Sequence, residues 1–200
     1  MTRPPRPTPV YAVIALVSWP FLRLFFRYKP HGTEHLPAEG GYVLAAGHVS
    51  NLDPWALGLA LFPHRFLRFM AKSELFWFPL GKLIQGAGAF KVHRGRADQE
   101  AIATAVELAR SGNVIAMFPE GTRRKKGLRK KYEAHAHTGA ARIAIEAGVP
   151  LIPAGIKGTN GLSRLERWQV RYGAPVETSD DPTETTERLM AAIRELEASL

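Results

Sequence analysis

The sequence predicts an α/β protein in which a largely parallel central sheet is flanked by helices. Short apolar runs typical of buried strands alternate with helical patterns along most of the 200 residues, as in β-α-β units. The length fits one main domain, and a composition of 46% hydrophobic and 22% charged residues is that of a globular protein. An N-terminal segment of different composition precedes this pattern and is predicted to be a separate helical element.

The N-terminal segment is basic at both ends and apolar between them. No acidic residue precedes Glu34, and residues 10–22 carry no charge. This run is shorter than the ~20 residues of a membrane-spanning helix, and Pro20 is expected to break or kink a helix. Flanking Arg and Lys suit lipid phosphates, so we predict an anchor that lies in the membrane interface. The alternative is a helix docked on its own domain.

Two strands are predicted in the next part of the chain. Residues 29–41 are rich in Gly and Pro and are interpreted as a linker. Residues 42–46 form an apolar run that predicts a buried strand followed by a turn. Asp53 and Pro54 then predict the start of a helix, with Asp53 as its N-cap and Pro54 at the first helical position. A second strand is predicted at residues 66–71.

The alternation of helices and strands continues to the C-terminus. Apolar residues spaced as on one helical face indicate a helix over residues 98–111, which Gly112 ends. Asp181 and Glu184 form a capping box, with Pro182 at the first position of the last helix. The other elements are apolar runs bounded by Gly or Pro. Strands are predicted at residues 89–93, 114–118, 149–156 and 170–172, and helices at residues 75–84 and 139–147.

The charge balance predicts anionic partners. The chain has 27 Lys and Arg against 18 Asp and Glu, and a net charge of +9 attracts nucleic acid, anionic membranes or phosphorylated ligands. The basic run at residues 123–131 lacks aromatic residues that stack on bases, which favours a solvated or membrane-facing loop over nucleic-acid binding. The absence of Cys excludes disulfides and a Cys nucleophile. His31 with His35, and His135 with His137, lie in no metal-ligand frame, so no metal is expected.

The first residues suited to chemistry are His48 and Asp53. They follow a predicted strand and precede a helix, and the carboxyl ends of strands line the ligand crevice in α/β sheets. Across the turn, the carboxylate of Asp53 can reach the ring of His48. A carboxylate on one ring nitrogen leaves the other nitrogen as a general base. The alternative is that Asp53 only caps the helix and His48 is a polar turn residue.

Two more strand ends carry residues suited to an anionic ligand. One predicted strand is followed by Glu120 and Gly121, where glycine allows close backbone approach, and by Thr122 and Arg123 as hydrogen-bond donors. Another is followed by Arg94, and a guanidinium binds phosphate oxygens in a bidentate manner. The simpler interpretations are a strand-to-loop turn with solvated charges and a surface arginine.

Four short motifs follow one another along the chain. They are residues 48–53 (His-Val-Ser-Asn-Leu-Asp), 88–94, 118–123 (Phe-Pro-Glu-Gly-Thr-Arg) and 149–153 (Val-Pro-Leu-Ile-Pro). A buried edge strand explains the fourth motif equally well. In this order the motifs resemble the four-block signature of glycerolipid acyltransferases of the lysophosphatidate (1-acyl-sn-glycerol-3-phosphate) acyltransferase type, and the resemblance covers about residues 30–175.

This resemblance implies a membrane-bound enzyme that moves a fatty acyl group to the free hydroxyl of a lysophospholipid. Acyl-CoA or acyl-carrier protein would be the co-substrate, with no cofactor. With 1-acyl-sn-glycerol-3-phosphate as acceptor the product is phosphatidic acid, an intermediate of phospholipid biosynthesis. The family's catalytic His and Asp correspond to His48 and Asp53. The expected substrate-binding residues are Lys72, Arg94, Glu120, Gly121, Thr122 and Arg123.

The resemblance also implies the partners and the location. The expected partners are a membrane phospholipid surface, the acyl donor and the acceptor, at the cytoplasmic face of the plasma membrane. Residues 1–30 would form the membrane-anchoring helical segment and residues 31–200 the acyltransferase catalytic domain. Two alternatives stay open: an acyltransferase for a different lysolipid or glycolipid acceptor, and a non-catalytic protein that binds anionic lipid.

Overall fold

The computed structural model describes residues 5–92, 98–121 and 136–200, which form a sheet with helices on both faces. The strands are β1 Lys29–His31, β2 Tyr42–Ala46, β3 Leu67–Lys72, β4 Ala89–Val92, β5 Val114–Met117, β6 Leu151–Lys157 and β7 Gln169–Tyr172. The helices are α1 Pro9–Phe25, α2 Asp53–Leu59, α3 Leu80–Gly86, α4 Asp98–Arg110, α5 Gly139–Ala147 and α6 Pro182–Ala198.

Five neighbouring strands run parallel in the order β6-β2-β5-β3-β4. β7 pairs antiparallel with β6, and β1 pairs parallel with β7, so these two strands run opposite to the rest. The predicted α/β class is confirmed, but the sheet is mixed. The linker interpretation is wrong for β1, because a three-residue strand with Pro30 at its centre has no apolar pattern to detect.

The central strand β2 shows why these residues form a sheet covered on both faces. All five of its residues are buried, and their side chains point alternately to the two sides. Val43 and Ala45 pack in the cluster that includes α4, α5 and α6, whereas Leu44 and Ala46 pack in the cluster that includes α1 and α2. A strand covered on both sides needs a continuous apolar run, which is the pattern that predicted it.

Two predicted elements differ from the observed ones. The helix predicted over residues 75–84 is a 3₁₀ turn at Ser73–Leu75 followed by α3, which begins only after Pro79. Proline restricts the residue before it to extended backbone, so an α-helix cannot easily run through this position. The fourth block lies on β6, which is flanked by β7 and β2, so the interpretation as an edge strand is wrong.

The N-terminal helix α1 packs on the domain along one face only. Tyr11, Ala15 and Leu22 are buried in the core, while apolar side chains on the opposite face are exposed, among them Val17 at 69% and Leu24 at 74%. The helix continues through Pro20, so of the predicted break or kink the break is absent. None of the described helices combines the length and apolar character needed to cross a bilayer.

Three tyrosine hydroxyls hold the carboxyl end of α2. The last carbonyls of a helix have no partner inside the helix, so each hydroxyl satisfies a buried acceptor. Burial raises the pKa of all three phenols, which therefore remain protonated donors. The donor–acceptor pairs are Tyr28 with the Ala56 carbonyl at 2.8 Å, Tyr172 with Leu57 at 2.7 Å and Tyr11 with Gly58 at 2.8 Å.

Replacing Tyr172 by Phe tests this arrangement. The variant leaves the Leu57 carbonyl buried without a partner, and we expect the free energy of unfolding to fall by about 1–3 kcal/mol. Tyr42→Phe is the matched control, because the Tyr42 hydroxyl is buried and has no hydrogen-bond partner among the described residues. Its loss should leave stability unchanged or raise it. Urea denaturation of both variants measures the difference, and equal losses would contradict the role of the Tyr172 hydroxyl.

Candidate active site

The site lies at the edge of the sheet where β2, β5 and β6 end. These strands are parallel neighbours, with Ala45 paired to Met117 and Ala46 to Ala154, so their carboxyl ends lie side by side. The loops that follow β2 and β5 carry the first and third sequence blocks, whereas the fourth block leads into β6 at its other end. Such an edge is the usual position of a ligand site in an α/β sheet.

His48 and Asp53 form a hydrogen-bonded pair across the turn between β2 and α2. Nδ1 of His48 lies 2.8 Å from Oδ2 of Asp53. The carboxylate only accepts hydrogen bonds, so Nδ1 carries the proton and Nε2 is the nitrogen that can accept one. The predicted contact between these two side chains is present.

Asp53 is fully buried, and its carboxylate accepts four hydrogen bonds. Oδ2 accepts the backbone N–H groups of Val49 at 2.7 Å and Ser50 at 2.8 Å in addition to the His48 ring. Oδ1 accepts the hydroxyl of Thr159 at 2.6 Å. A buried charge requires this degree of hydrogen bonding. The N-cap prediction for Asp53 is wrong: the N-cap is Leu52, and the carboxylate points back into the turn.

The imidazole of His48 packs against the protein on one face and is partly exposed to solvent. Its ring stacks on Phe118, with centroids 4.2 Å apart and planes inclined by 24°. Its side chain is 18% exposed, whereas that of Asp53 is inaccessible. The ring is therefore oriented on one side by a carboxylate and on one face by an aromatic ring, and it can exchange a proton with a bound molecule.

The loop after β5 brings the third block next to His48 through Phe118. Gly121 has a φ of 65°, and a Cβ there would lie 2.7 Å from the ring of His137, so this close approach requires glycine. The backbone N–H of His137 donates to the Pro119 carbonyl at 2.7 Å. Glu120 is half-buried in the same loop.

The remaining predicted site residues differ in what the structure says of them. Lys72 is the last residue of β3 and is exposed at the same sheet edge, with β5 between β3 and β2. Arg94, Thr122 and Arg123 lie outside the described residues. Within the described ranges no three His, Asp or Glu side chains are grouped closely enough to hold a metal ion.

Thr159 was missed by the sequence analysis. It is fully buried, directly follows Gly158 at the end of β6 and contacts Asp53, which is 106 positions away in the chain. The signal that identified His48, a polar residue just beyond a buried strand, also applies to Thr159. The interpretation of the fourth block stopped at residue 153 and did not follow β6 to its end.

Comparison with known proteins gives the family. The Acyltransferase family model matches residues 5–157, so the chain belongs to the acyltransferase family and is an enzyme that transfers an acyl group. The 1-acyl-sn-glycerol-3-phosphate acyltransferase of Bacillus subtilis (strain 168) is 31% identical over 173 residues, which cover 84% of this chain and 82% of that protein. This match narrows the assignment to the lysophosphatidate acyltransferase group, and it confirms the resemblance predicted from the motifs.

A plant relative is also similar in sequence, and a crystal structure shows the same fold. The chloroplastic 1-acyl-sn-glycerol-3-phosphate acyltransferase BAT2 of Brassica napus is 30% identical over 139 residues, which cover 68% of this chain but 38% of the longer plant protein. The 1-acyl-sn-glycerophosphate (LPA) acyltransferase PlsC from Thermotoga maritima has the same fold, with a TM-score of 0.64 and 22% identity over 94% of this chain and 88% of that chain.

Proposed function

We propose that this enzyme transfers a fatty acyl group from acyl-CoA or acyl-carrier protein to the free hydroxyl of 1-acyl-sn-glycerol-3-phosphate, making phosphatidic acid in phospholipid biosynthesis. The observation that carries the proposal is the 2.8 Å contact between His48 and Asp53 at the carboxyl edge of the sheet. The names of the Bacillus and Brassica relatives support the choice of acceptor. Family membership also argues against the non-catalytic alternative.

In the proposed mechanism His48 is the general base. Its Nε2 takes the proton of the acceptor hydroxyl as that oxygen attacks the thioester carbonyl of the donor. The tetrahedral intermediate then collapses, the C–S bond breaks, and the imidazolium returns the proton to the leaving thiolate. One ester and one thiol form from one alcohol and one thioester. The acceptor oxygen takes the place of an enzyme nucleophile, so no acyl-enzyme forms.

Asp53 acts through His48 in this mechanism. Its buried carboxylate holds Nδ1 in the protonated tautomer and stabilises the imidazolium that forms during attack. The carboxylate is already fully hydrogen-bonded before substrate binds. The charge that stabilises the transition state is therefore in place, and little reorganisation is needed during the reaction.

We assign the acceptor phosphate to the neighbouring loops. Lys72 supplies a cation at the same sheet edge, and Gly121 is an exposed residue of the loop after β5. Arg94, Thr122 and Arg123 complete the proposed group as cations and a hydroxyl donor. Glu120 is assigned as a partner of these cations, since a carboxylate repels phosphate. Holding the phosphate positions the hydroxyl near His48, which lowers the entropic part of the barrier.

We also propose that the enzyme lies on the membrane through an outer apolar surface formed by α1 and the segment before and within α3. The two parts touch, because the Thr8 hydroxyl donates to the Gly86 carbonyl and Gly86 lies against Val10. The exposed cations Arg23 and Lys82 suit lipid phosphates beside this surface. The surface consists of Val13, Leu16, Val17, Phe21, Leu24 and Phe25 of α1 with Leu75, Trp77, Phe78 and Leu83.

This surface would insert partly into one leaflet without crossing the bilayer. The helix α1 is anchored to the protein core by Tyr11, Ala15 and Leu22, so it presents its exposed face at a constant orientation. The expected location is the cytoplasmic face of the plasma membrane, where the acceptor lipid and the thioester donor meet.

Replacing His48 by Ala tests the base assignment. We expect turnover of the folded variant to fall at least ~100-fold, since a positioned base contributes on that scale. The variant also loses one donor to the buried Asp53 carboxylate, so thermal unfolding is measured to show that it is folded at the assay temperature. Thiol release from acyl-CoA in the presence of 1-acyl-sn-glycerol-3-phosphate measures the rate. His64→Ala is the control, because His64 is exposed and lies outside the site. Near-normal turnover of His48→Ala would refute the assignment.

Replacing Arg94 by Ala tests the acceptor. We expect the apparent KM for 1-acyl-sn-glycerol-3-phosphate to rise about tenfold or more, because a charge-assisted contact to phosphate is lost. Lys91→Ala removes an exposed cation of β4 and is the matched control. An unchanged KM for 1-acyl-sn-glycerol-3-phosphate in Arg94→Ala, or an equal rise in KM for an acceptor that lacks phosphate, would contradict the phosphate role. If the wild type uses the acceptor without phosphate as readily as the phosphorylated one, a different lysolipid or glycolipid acceptor is favoured.

Replacing Leu24 by Glu tests the membrane surface. Leu24 is 74% exposed, so the change does not disturb the core, but it places a charge where acyl chains are expected. We expect binding to vesicles that contain anionic phospholipid to weaken about tenfold or more, as measured by co-sedimentation. Leu162→Glu changes an exposed leucine outside the surface and should bind as wild type. Equal binding of all three proteins would contradict the proposal.

A further inference from the structure

The Oδ1 oxygen of the Asp53 carboxylate accepts a hydrogen bond from Thr159 that has no role in the proposed mechanism. Oδ2 accepts three N–H groups, all from the turn at residues 48–50, whereas Oδ1 accepts only the hydroxyl of Thr159. Both Thr159 and Asp53 are inaccessible to solvent, and their oxygens are 2.6 Å apart. This is the short distance expected when a hydroxyl donates to a charged carboxylate.

We propose that Thr159 is a positioning residue of the active site. Its hydroxyl fixes the rotation of the Asp53 carboxylate and, through it, the tautomer and orientation of the His48 ring. This proposal rests on the proposed role of His48 as general base. It adds to the reaction a residue that lies beyond all four sequence blocks.

The need for a second contact follows from the freedom of an aspartate side chain. The terminal torsion of Asp has a broad minimum, so the backbone of Asp53 does not by itself fix the plane of the carboxylate. The three N–H groups converge on one oxygen and hold its position. The Thr159 hydroxyl donates to Oδ1 from a different direction and so fixes the plane of the carboxylate. This plane sets the position of Oδ2, which accepts the Nδ1–H of His48.

The chain delivers Thr159 from a different part of the fold. β6 pairs with β2 and ends at Lys157, and a turn follows in which the Gly161 N–H donates to the Gly158 carbonyl at 3.0 Å. Gly158 has a φ of 89°, and a Cβ there would lie 2.0 Å from the Arg167 carbonyl oxygen. The backbone at the end of β6 is thus tightly constrained, and it places the next residue against Asp53.

This placement links the fourth block to the chemistry. β6 lies beside β2, and the loop after β6 contributes the Thr159 hydroxyl that donates to the Asp53 carboxylate. A purely structural Thr159 would fill space in the core and stabilise the fold without affecting the base. Removal of the hydroxyl alone distinguishes the two roles. It lowers turnover if Thr159 positions the base, and it changes only stability if Thr159 is purely structural.

The first experiment compares Thr159→Val with Thr159→Ser. Valine keeps the shape and removes the donor, so we expect kcat to fall about tenfold or more while KM for acyl-CoA and for 1-acyl-sn-glycerol-3-phosphate stays near wild type. Serine keeps the donor and should retain kcat within about threefold. Thr186→Val removes the hydroxyl of another buried threonine, in α6, and should leave kcat unchanged.

Folding is separated from chemistry in the same set of variants. Thermal unfolding is measured for each, and kcat is compared only among folded proteins. If Thr159→Val does not fold, Thr159→Ala and Thr159→Ser provide the comparison, since both lack the methyl group and differ only in the hydroxyl. Wild-type kcat in a folded variant without the hydroxyl overturns the proposal, as does an equal loss of kcat in Thr159→Ser and Thr159→Ala.

The second experiment observes His48 directly and does not depend on turnover. ¹⁵N NMR of histidine-labelled enzyme reports which ring nitrogen carries the proton, and the His48 signals are assigned by their loss in His48→Ala. The wild type should show the Nδ1–H tautomer, and Thr159→Val or Thr159→Ala should shift signal toward Nε2–H. An unchanged tautomer in these variants, together with unchanged kcat, overturns the proposal. Full activity of His48→Ala would instead refute the base assignment, whatever Thr159 does to the ring.

Discussion

The active-site end of this protein depends on the burial of one negative charge. Asp53 has no solvent exposure, and burying a carboxylate is costly unless hydrogen-bond donors replace the water that it has lost. Its four donors come from the His48 ring, two backbone N–H groups of one turn and the loop after β6. The Asp53 carboxylate therefore requires two features of the fold. One is the turn between β2 and α2, and the other is the position of β6 beside β2.

The helix that begins with Asp53 is held at its other end by neutral donors. Three tyrosine hydroxyls satisfy consecutive carbonyls of α2, and they come from α1, from the segment after α1 and from β7. A helix of seven residues has few internal hydrogen bonds, so these contacts contribute much of what orients it. Through Tyr11, the helix with the exposed apolar face also supports the helix that carries Asp53.

The proposed acyl-transfer mechanism is based on the side chains at the carboxyl edge of the sheet and on the family to which the chain belongs. An oriented imidazole is present, and the proposed nucleophile is the hydroxyl of the acceptor itself, which only has to be deprotonated and positioned. The enzyme then has to position the base relative to the acceptor phosphate and to stabilise the charge that develops on the base. Loops at the ends of parallel strands suit this task, because the hydrogen-bonded sheet fixes where each loop begins.

Local patterns were sufficient for much of the fold and for the pair at its centre. The buried strand β2 and the helix α5 lie where apolar runs and their flanking Gly residues predicted them, and His48 and Asp53 are close in sequence, so a single turn brings them together. Pattern alone was insufficient where the outcome depends on distant partners. β1 is a strand only because β7 pairs with it, and the direction of Asp53 was set by donors in the turn rather than by the helix that it begins. Thr159 contacts Asp53 across 106 positions. Spacing in a sequence reports neighbours on one helix, strand or turn, whereas contacts between strands arise only when the sheet is assembled and the core closes around them.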